Sequence, residues 1–268
     1  MSDPTTQRPA AADAELPRIQ GFLADFARRQ AQHATPLPGG FAVRDDALPH
    51  SRADNQIFVD QPVVDAGALP TLADEALAGL PHRLITVLHD QAGQAVAPTL
   101  VAAGYEHSVY LLMLHTGPVP KPGSTAREAE EVDLDALRGP IARRWRGFLP
   151  DAEDEVIRQL VDRRLARRRG AEAVHFIASR DEDGEAACWA DLYADPATGV
   201  AQIEDVLTDE ARLRRGHGNA VLAEALRRAE GAGCATRFLI ADADDWPRHW
   251  YERLGFTTIA HAHSFERG

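Results

Sequence analysis

The chain is poor in cysteine, with two among 268 residues, Cys188 and Cys234. They lie far apart and without metal-ligand spacing, which excludes a disulfide frame and leaves two small core residues of a reducing compartment. Long apolar runs are missing as well. No stretch approaches the ~18 residues of a membrane helix, and the opening "MSDPTTQRPAAADAELP" has no apolar signal core. A cytoplasmic protein without a membrane partner is expected. Positive charge is scarce, 29 Lys and Arg against 41 Asp and Glu, for a formal charge of −12. That balance argues against a nucleic-acid partner but leaves room for a local basic pocket. Gly-Lys-Ser/Thr is absent too, so the chain holds no Walker loop for a nucleoside triphosphate.

What remains is an ordinary globular composition, 44% hydrophobic and 26% charged, long enough for two domains. Residues 1–16, rich in Ala, Pro, Thr and Asp, are expected to form a disordered tail. "RIQGFLADFARRQAQHA" then spaces Ile19, Phe22, Leu23 and Phe26 as one face of a helix. Strand, helix, strand, helix and strand follow in "NQIFVDQPVV", "LPTLADEALAGLP", "HRLITVLHD", "AVAPTLVAAGY" and "EHSVYLLMLH". Residues 119–131, with three prolines just before and within them, predict a linker between domains at 17–118 and 132–268.

The second half reads as two helices, three hairpin-joined strands, then helix, strand, helix, strand. This order is an α+β fold with a mixed, mostly antiparallel sheet flanked by helices. Its second helix opens with acids and closes on the arginines of "RRLARRRG", which suit a solvated helix end better than a nucleic-acid patch.

One stretch stands apart. "RLRRGHGNAVLAEALRRA" places Arg214, Arg215, Gly216 and Gly218 at the mouth of an amphipathic helix. The glycines let backbone approach a ligand closely, and the amides of Arg214 to Asn219 add to the positive end of the helix dipole. This is phosphate chemistry. A dinucleotide fingerprint is a poor match, because Val221 holds the place of its third glycine.

The pair "VLTDEARLRRGHGNAVL" and "WYERLGF" resembles the Gcn5-related N-acetyltransferase (GNAT) superfamily over residues 136–266. The family signature is Gln/Arg-x-x-Gly-x-Gly/Ala after a strand and an acidic bend. Leu213 departs from it, and so does Asp244, where many members carry an Asn beside the pantetheine arm. The resemblance implies an acetyl-CoA co-substrate and an amine acceptor, on a small molecule or a peptide. It further implies that the strand splays from its neighbour, with Val206, Leu207 and Thr208 along the acyl-pantetheine. Arg214, Arg215, Gly216, His217, Gly218 and Asn219 would cradle the phosphates, and Tyr251 falls on the family's tyrosine that protonates the departing sulfur.

The base is open. Alternation puts Glu204 and Asp205 on opposite strand faces, Glu204 sharing that of Val206 and Thr208. Glu204 is therefore the first choice, directly or through water, with Asp205 or water alone as alternatives. His217 is expected at a solvent-facing helix start. His261 and His263 share a strand face but lack a third ligand at metal spacing, so no metal is expected. Trp189, Trp246 and Trp250 are core or acceptor-pocket walls.

The first half repeats the element order of the second. Gly104-Tyr105 sits where Gly255-Phe256 sits, but Leu100 replaces the tyrosine and no Gly-Arg loop follows its strand. A degenerate GNAT-like domain is expected at 17–118. A non-catalytic CoA-binding sensor is the rival to an enzyme, a longer acyl donor is compatible with the loop, and the oligomeric state is not written in the sequence.

Overall fold

The computed structural model describes residues 10–121 and 123–268. Helix α1 (Ala10–Gln30) leads into β1 (His33–Leu37), β2 (Gly40–Arg44) and β3 (Gln56–Val59). Next come α2 (Leu69–Ala76), β4 (Arg83–Val87), α3 (Asp90–Ala102) and β5 (Glu106–His115). The remainder is β6 (Glu130–Val132), α4 (Leu134–Phe148), α5 (Asp154–Arg167), β7 (Ala173–Arg180), β8 (Ala186–Asp195), β9 (Val200–Thr208), α6 (His217–Gly231), β10 (Thr236–Asp242), α7 (Pro247–Arg253) and β11 (Phe256–Arg267). Among the described residues no helix is long and apolar enough to cross a membrane.

The eleven strands of the described residues join one sheet, in the order β1-β2-β3-β4-β11-β5-β10-β9-β8-β7-β6. Only β3 with β4 and β9 with β10 run parallel. Alternation splits the core between the faces. Cys188, Ala190 and Leu192 of β8 pack with Val221, Leu222 and Leu226 of α6, whereas Trp189 joins Leu137 and Ile141 of α4. Tyr193, on the same face as Trp189, stacks on Phe26 of α1 at 4.5 Å. Thus α1, α4 and α5 cover one face, and α2, α3, α6 and α7 the other.

Four expectations need correction. Residues 10–16 belong to α1, because Ile19, Phe22, Leu23 and Phe26 bury its far end and Glu15 reaches the Thr236 hydroxyl; residues 1–9 lie outside the described residues. The hairpin β1–β2 takes in His33 and Ala34, read as the end of the first helix, and runs on through a stretch given no element, where Phe41, Ala42 and Val43 are buried. The end of the expected linker is a strand, since Glu130–Val132 pairs with Phe176–Ala178 along the sheet edge. Most consequential, a cut near residue 118 does not divide the molecule into separate sheets. Strand β5 lies between β10 and β11, and β11 between β4 and β5. Each half repeats a parallel pair, a helix and a last strand, and each last strand inserts into the other half. The exchange leaves neither strand with an exposed edge, which is the physical gain.

Candidate active site

The two parallel pairs differ at their C-terminal ends. Strands β3 and β4 stay zipped, with Val59 facing Val87 and the Leu88 N–H bonding the Val59 carbonyl at 3.0 Å. By contrast β9 and β10 pair only as far as Ile203 opposite Leu239, although the first runs on to Thr208 and the second to Asp242. Beyond that point they diverge, and the edge of β9 is left without a partner on that side.

A bulge re-aims the diverging strand. Asp191 faces Glu204 and Trp189 faces Leu207, so Asp205 and Val206 together oppose the single residue Ala190. Asp205 takes the left-handed region, φ 52°. This inserted residue overturns the simple alternation read from the sequence. Glu204 lies on the α5 face, while Val206 packs toward the α6 face with Tyr251. Glu204 therefore does not share a face with Val206.

Arginines from α5 seize the carboxylates of the bulge. Arg164 bonds Asp191 at 3.1 Å and Asp205 at 2.8 Å, with Arg164 and Asp191 both sealed from water. Arg167 reaches Glu204 Oε1 and the Tyr193 hydroxyl at 3.1 and 2.8 Å, and Gln202 donates to Glu204 Oε2 at 3.0 Å. The arginines read as a solvated helix end thus turn inward, because the phase of α5 points 164 and 167 at the sheet. Burial pushes the Glu204 carboxyl above its ordinary range against the pull of Arg167. At Asp205 burial acts in the same sense, but Arg164, Arg163 and Arg167 outweigh it and hold the carboxyl well below that range.

The loop follows. Arg214 and Gly216 are both left-handed, φ 62° and 89°, and Gly216 caps α6. Glycine adopts that conformation without penalty. The first helical bond runs from the Ala220 N–H to the Gly216 carbonyl, so the amides of His217, Gly218 and Asn219 point out of the helix end. Arg214 and Arg215 are exposed and have no carboxylate partner among the described residues. At Gly218 a Cβ would stand 3.3 Å from the Trp250 ring, whose N–H donates to Asn219 Oδ1 at 2.9 Å.

These elements line one cleft of about 1040 Å³, which includes Val206, Leu207, Thr208, Arg214, Gly216, His217, Gly218, Asn219 and Tyr251. Arg215, Asp244 and Glu204 fall outside its lining. The Asp244 side chain is exposed in the turn before α7, where its N–H bonds Asp242. His217 is not solvent-facing. Its Nδ1 meets the Ser179 hydroxyl at 2.9 Å, its Nε2 is buried without a partner, and burial lowers its pKa. Nothing local in "GHG" announces Ser179, which arrives from β7.

Tyr251 is 7% exposed, packed against Phe256 and Trp250, with ring centroids at 5.9 and 4.9 Å. Burial pushes its phenol far above the ordinary value, so it stays protonated at neutral pH. Cys188, below it, is pushed up to about 12 for the same reason and is no nucleophile. Elsewhere, Asp90 of α3 bonds His263 at 3.0 Å and His261 at 3.3 Å, a carboxylate that sequence spacing did not reveal. Among the described residues no group of three or more His, Cys, Asp or Glu is arranged to hold a metal.

Residues 141–256 match the acetyltransferase (GNAT) family. This segment is a GNAT domain. Solved structures of similar fold span nearly the whole chain. A functionally unknown conserved protein from Staphylococcus epidermidis has a TM-score of 0.65 at 10% identity, covering 87% of this chain and 92% of its own. A GCN5-related N-acetyltransferase from Kribbella flavida has 0.60 at 21%, covering 97% and 96%. A putative GNAT-family acetyltransferase from Novosphingobium aromaticivorans has 0.56 at 15%, covering 93% and 97%. Identities this low speak for the fold. A search of curated proteins finds no match. The mixed, mostly antiparallel sheet with helices on both faces is thus the one the GNAT resemblance led us to expect.

Proposed function

We propose that the chain is an acetyl-CoA-dependent N-acetyltransferase acting on an amine of a small molecule or peptide. The observation that carries this reading is the divergence of β9 and β10 after Ile203, with an anion loop at its mouth and the Tyr251 phenol on its wall. The residues fit the coenzyme. Free helix amides, a left-handed glycine and the unpaired Arg214 suit its phosphates. The unpaired edge of β9 suits the amides of its pantetheine arm. A volume of about 1040 Å³ suits a ligand of that size.

Each residue then has a task. The main chain at Val206, outside the ladder with β8, faces the thioester carbonyl and meets the oxyanion. Tyr251 gives its proton to the departing thiolate, a role its burial favours by keeping the phenol neutral. Glu204 takes the proton of the acceptor ammonium through a water. What supports Glu204 over Asp205 is basicity, since burial raises the one and three arginines lower the other. The acceptor approaches from the α4–α5 face, opposite Tyr251, where Arg144 lines the cleft.

The first half, residues 17–118, is in this reading a degenerate GNAT-like domain. Its parallel pair is closed by the Leu88–Val59 bond, and the buried Leu100 stands where the acid would be. Its contribution is β5, the strand beside β10. The test is calorimetric titration with CoA, then thiol release from acetyl-CoA over an amine panel. Failure of CoA to bind overturns the proposal, and binding without turnover of any amine converts it to a sensor.

A further inference from the structure

Helix α5 brings three arginines to the carboxylates around the bulge, and two of them suffice. Arg164 holds Asp191 at 3.1 Å and Asp205 at 2.8 Å, and Arg167 holds Glu204 at 3.1 Å. Arg163 is the surplus. Its one hydrogen bond is a long 3.4 Å contact from Nη2 to the Asp205 oxygen that Arg164 already takes. Its Nη1 has no partner among the described residues, and 11% of the side chain stays open to solvent. A guanidinium beside Glu204 and Asp205, with no carboxylate of its own, is a receptor for an incoming anion.

The end of α4 that meets Arg163 is aromatic. The Arg163 guanidinium lies 5.5 Å over the Trp145 ring, and that ring stands 6.1 Å from Phe148. Phe148 is 57% exposed and Leu149 39%, so α4 closes on an uncovered apolar surface. Arg144 joins this surface to the acyl cleft. Its guanidinium sits 4.1 Å over the Phe148 ring, and it lines the cleft together with Val206. An unshared guanidinium, a carboxylate and an aromatic wall thus meet on the side from which the acceptor approaches. The chain is acidic overall, yet this corner complements a zwitterion with an apolar side chain, not a polycation.

We propose that the acceptor is an α-amino acid with an apolar or aromatic side chain. Its carboxylate pairs with Arg163, its ammonium faces Glu204, and its side chain lies against Trp145 and Phe148. The C–N bond forms as the C–S bond breaks. Of the two protons the ammonium gives up, one leaves through Glu204 and the other replaces the proton Tyr251 gives to the sulfur. The products are the N-acetyl amino acid and free CoA. This inference rests on the acetyltransferase reading above and names its acceptor.

The test uses the full chain, acetyl-CoA and acceptor pairs that differ by the carboxylate alone, L-phenylalanine with phenethylamine and L-leucine with 3-methylbutylamine. The parent prefers the amino acid of each pair in kcat/KM. Arg163→Gln cuts that preference about tenfold, or about 1.4 kcal/mol, as loss of one charge-assisted hydrogen bond implies, and the loss falls on KM. Comparing preferences between parent and variant cancels the different basicities of the two amines. Arg163→Lys recovers part of it. Phe148→Ala, at an exposed position whose truncation leaves the fold intact, cuts the preference for phenylalanine over glycine about fivefold. An unchanged preference in Arg163→Gln or in Phe148→Ala, or a parent that uses the decarboxylated amines better, overturns the amino-acid acceptor and leaves the acetyltransferase reading standing. Turnover of no amine at all overturns both.

Discussion

Replacing Tyr251 by Phe removes one oxygen from a side chain that is 7% exposed. The ring contacts to Phe256 and Trp250 survive, and no protein group loses a bond, because the hydroxyl has no side-chain or main-chain partner among the described residues. Stability should therefore change by less than ~0.5 kcal/mol. Catalysis should change far more. A positioned general acid contributes about 10²- to 10⁴-fold, which corresponds to about 2.7–5.4 kcal/mol of barrier. Thiol release from acetyl-CoA should fall by that factor in kcat, while CoA affinity by calorimetry stays within about twofold, since the proposed mode of binding rests on main-chain amides. The pH dependence follows from the same burial. The phenol is raised above its free value of ~10, so the parent keeps its acid throughout the neutral range and any alkaline decline below pH ~10 belongs to another group. A Tyr251→Phe variant with kcat within threefold of the parent would refute the assignment, as would a loss confined to CoA binding.

Three further outcomes follow from the packing. Arg164→Met strands the fully buried Asp191 and should cost about 3–5 kcal/mol in urea unfolding; a loss under 1 kcal/mol would show that the clamp does not hold the bulge. Gly93→Ala drives a Cβ into the His263 ring, which Asp90 and His107 pin at 3.0 and 2.9 Å, so melting should drop by the equivalent of about 1–3 kcal/mol. Its CoA affinity should hold, and an undiminished melting temperature would contradict the geometry. Asp205 is held below the unfolded carboxylate value of ~3.9, so its contribution is complete above that value and lost as pH falls through the folded one. Asp205→Asn should flatten the acid limb of melting temperature against pH, and a limb as steep as the parent's would remove Asp205 from the account.

Local pattern settled much of this protein. The apolar spacing of α1, the β-rich runs of β7 to β11, Gly216 at a helix mouth and the tyrosine of "WYERLGF" are properties of a few neighbouring residues, and the sequence carries them directly. The left-handed Gly216 and the free amides at the mouth of α6 were legible for the same reason, since glycine freedom and helix-end amides need no distant partner. Other features depend on what the chain brings together across long separations. The exchange of β5 and β11, the closed end of the β3–β4 pair, Ser179 beneath His217 and Asp90 between two histidines join segments whose patterns are mutually silent. The bulge at Asp205 is the sharpest case. Strict alternation put Glu204 beside Val206, and one extra residue, locked by arginines two elements away, turned it to the other face. Period and propensity are local quantities, whereas register and charge pairing are fixed only when the sheet closes.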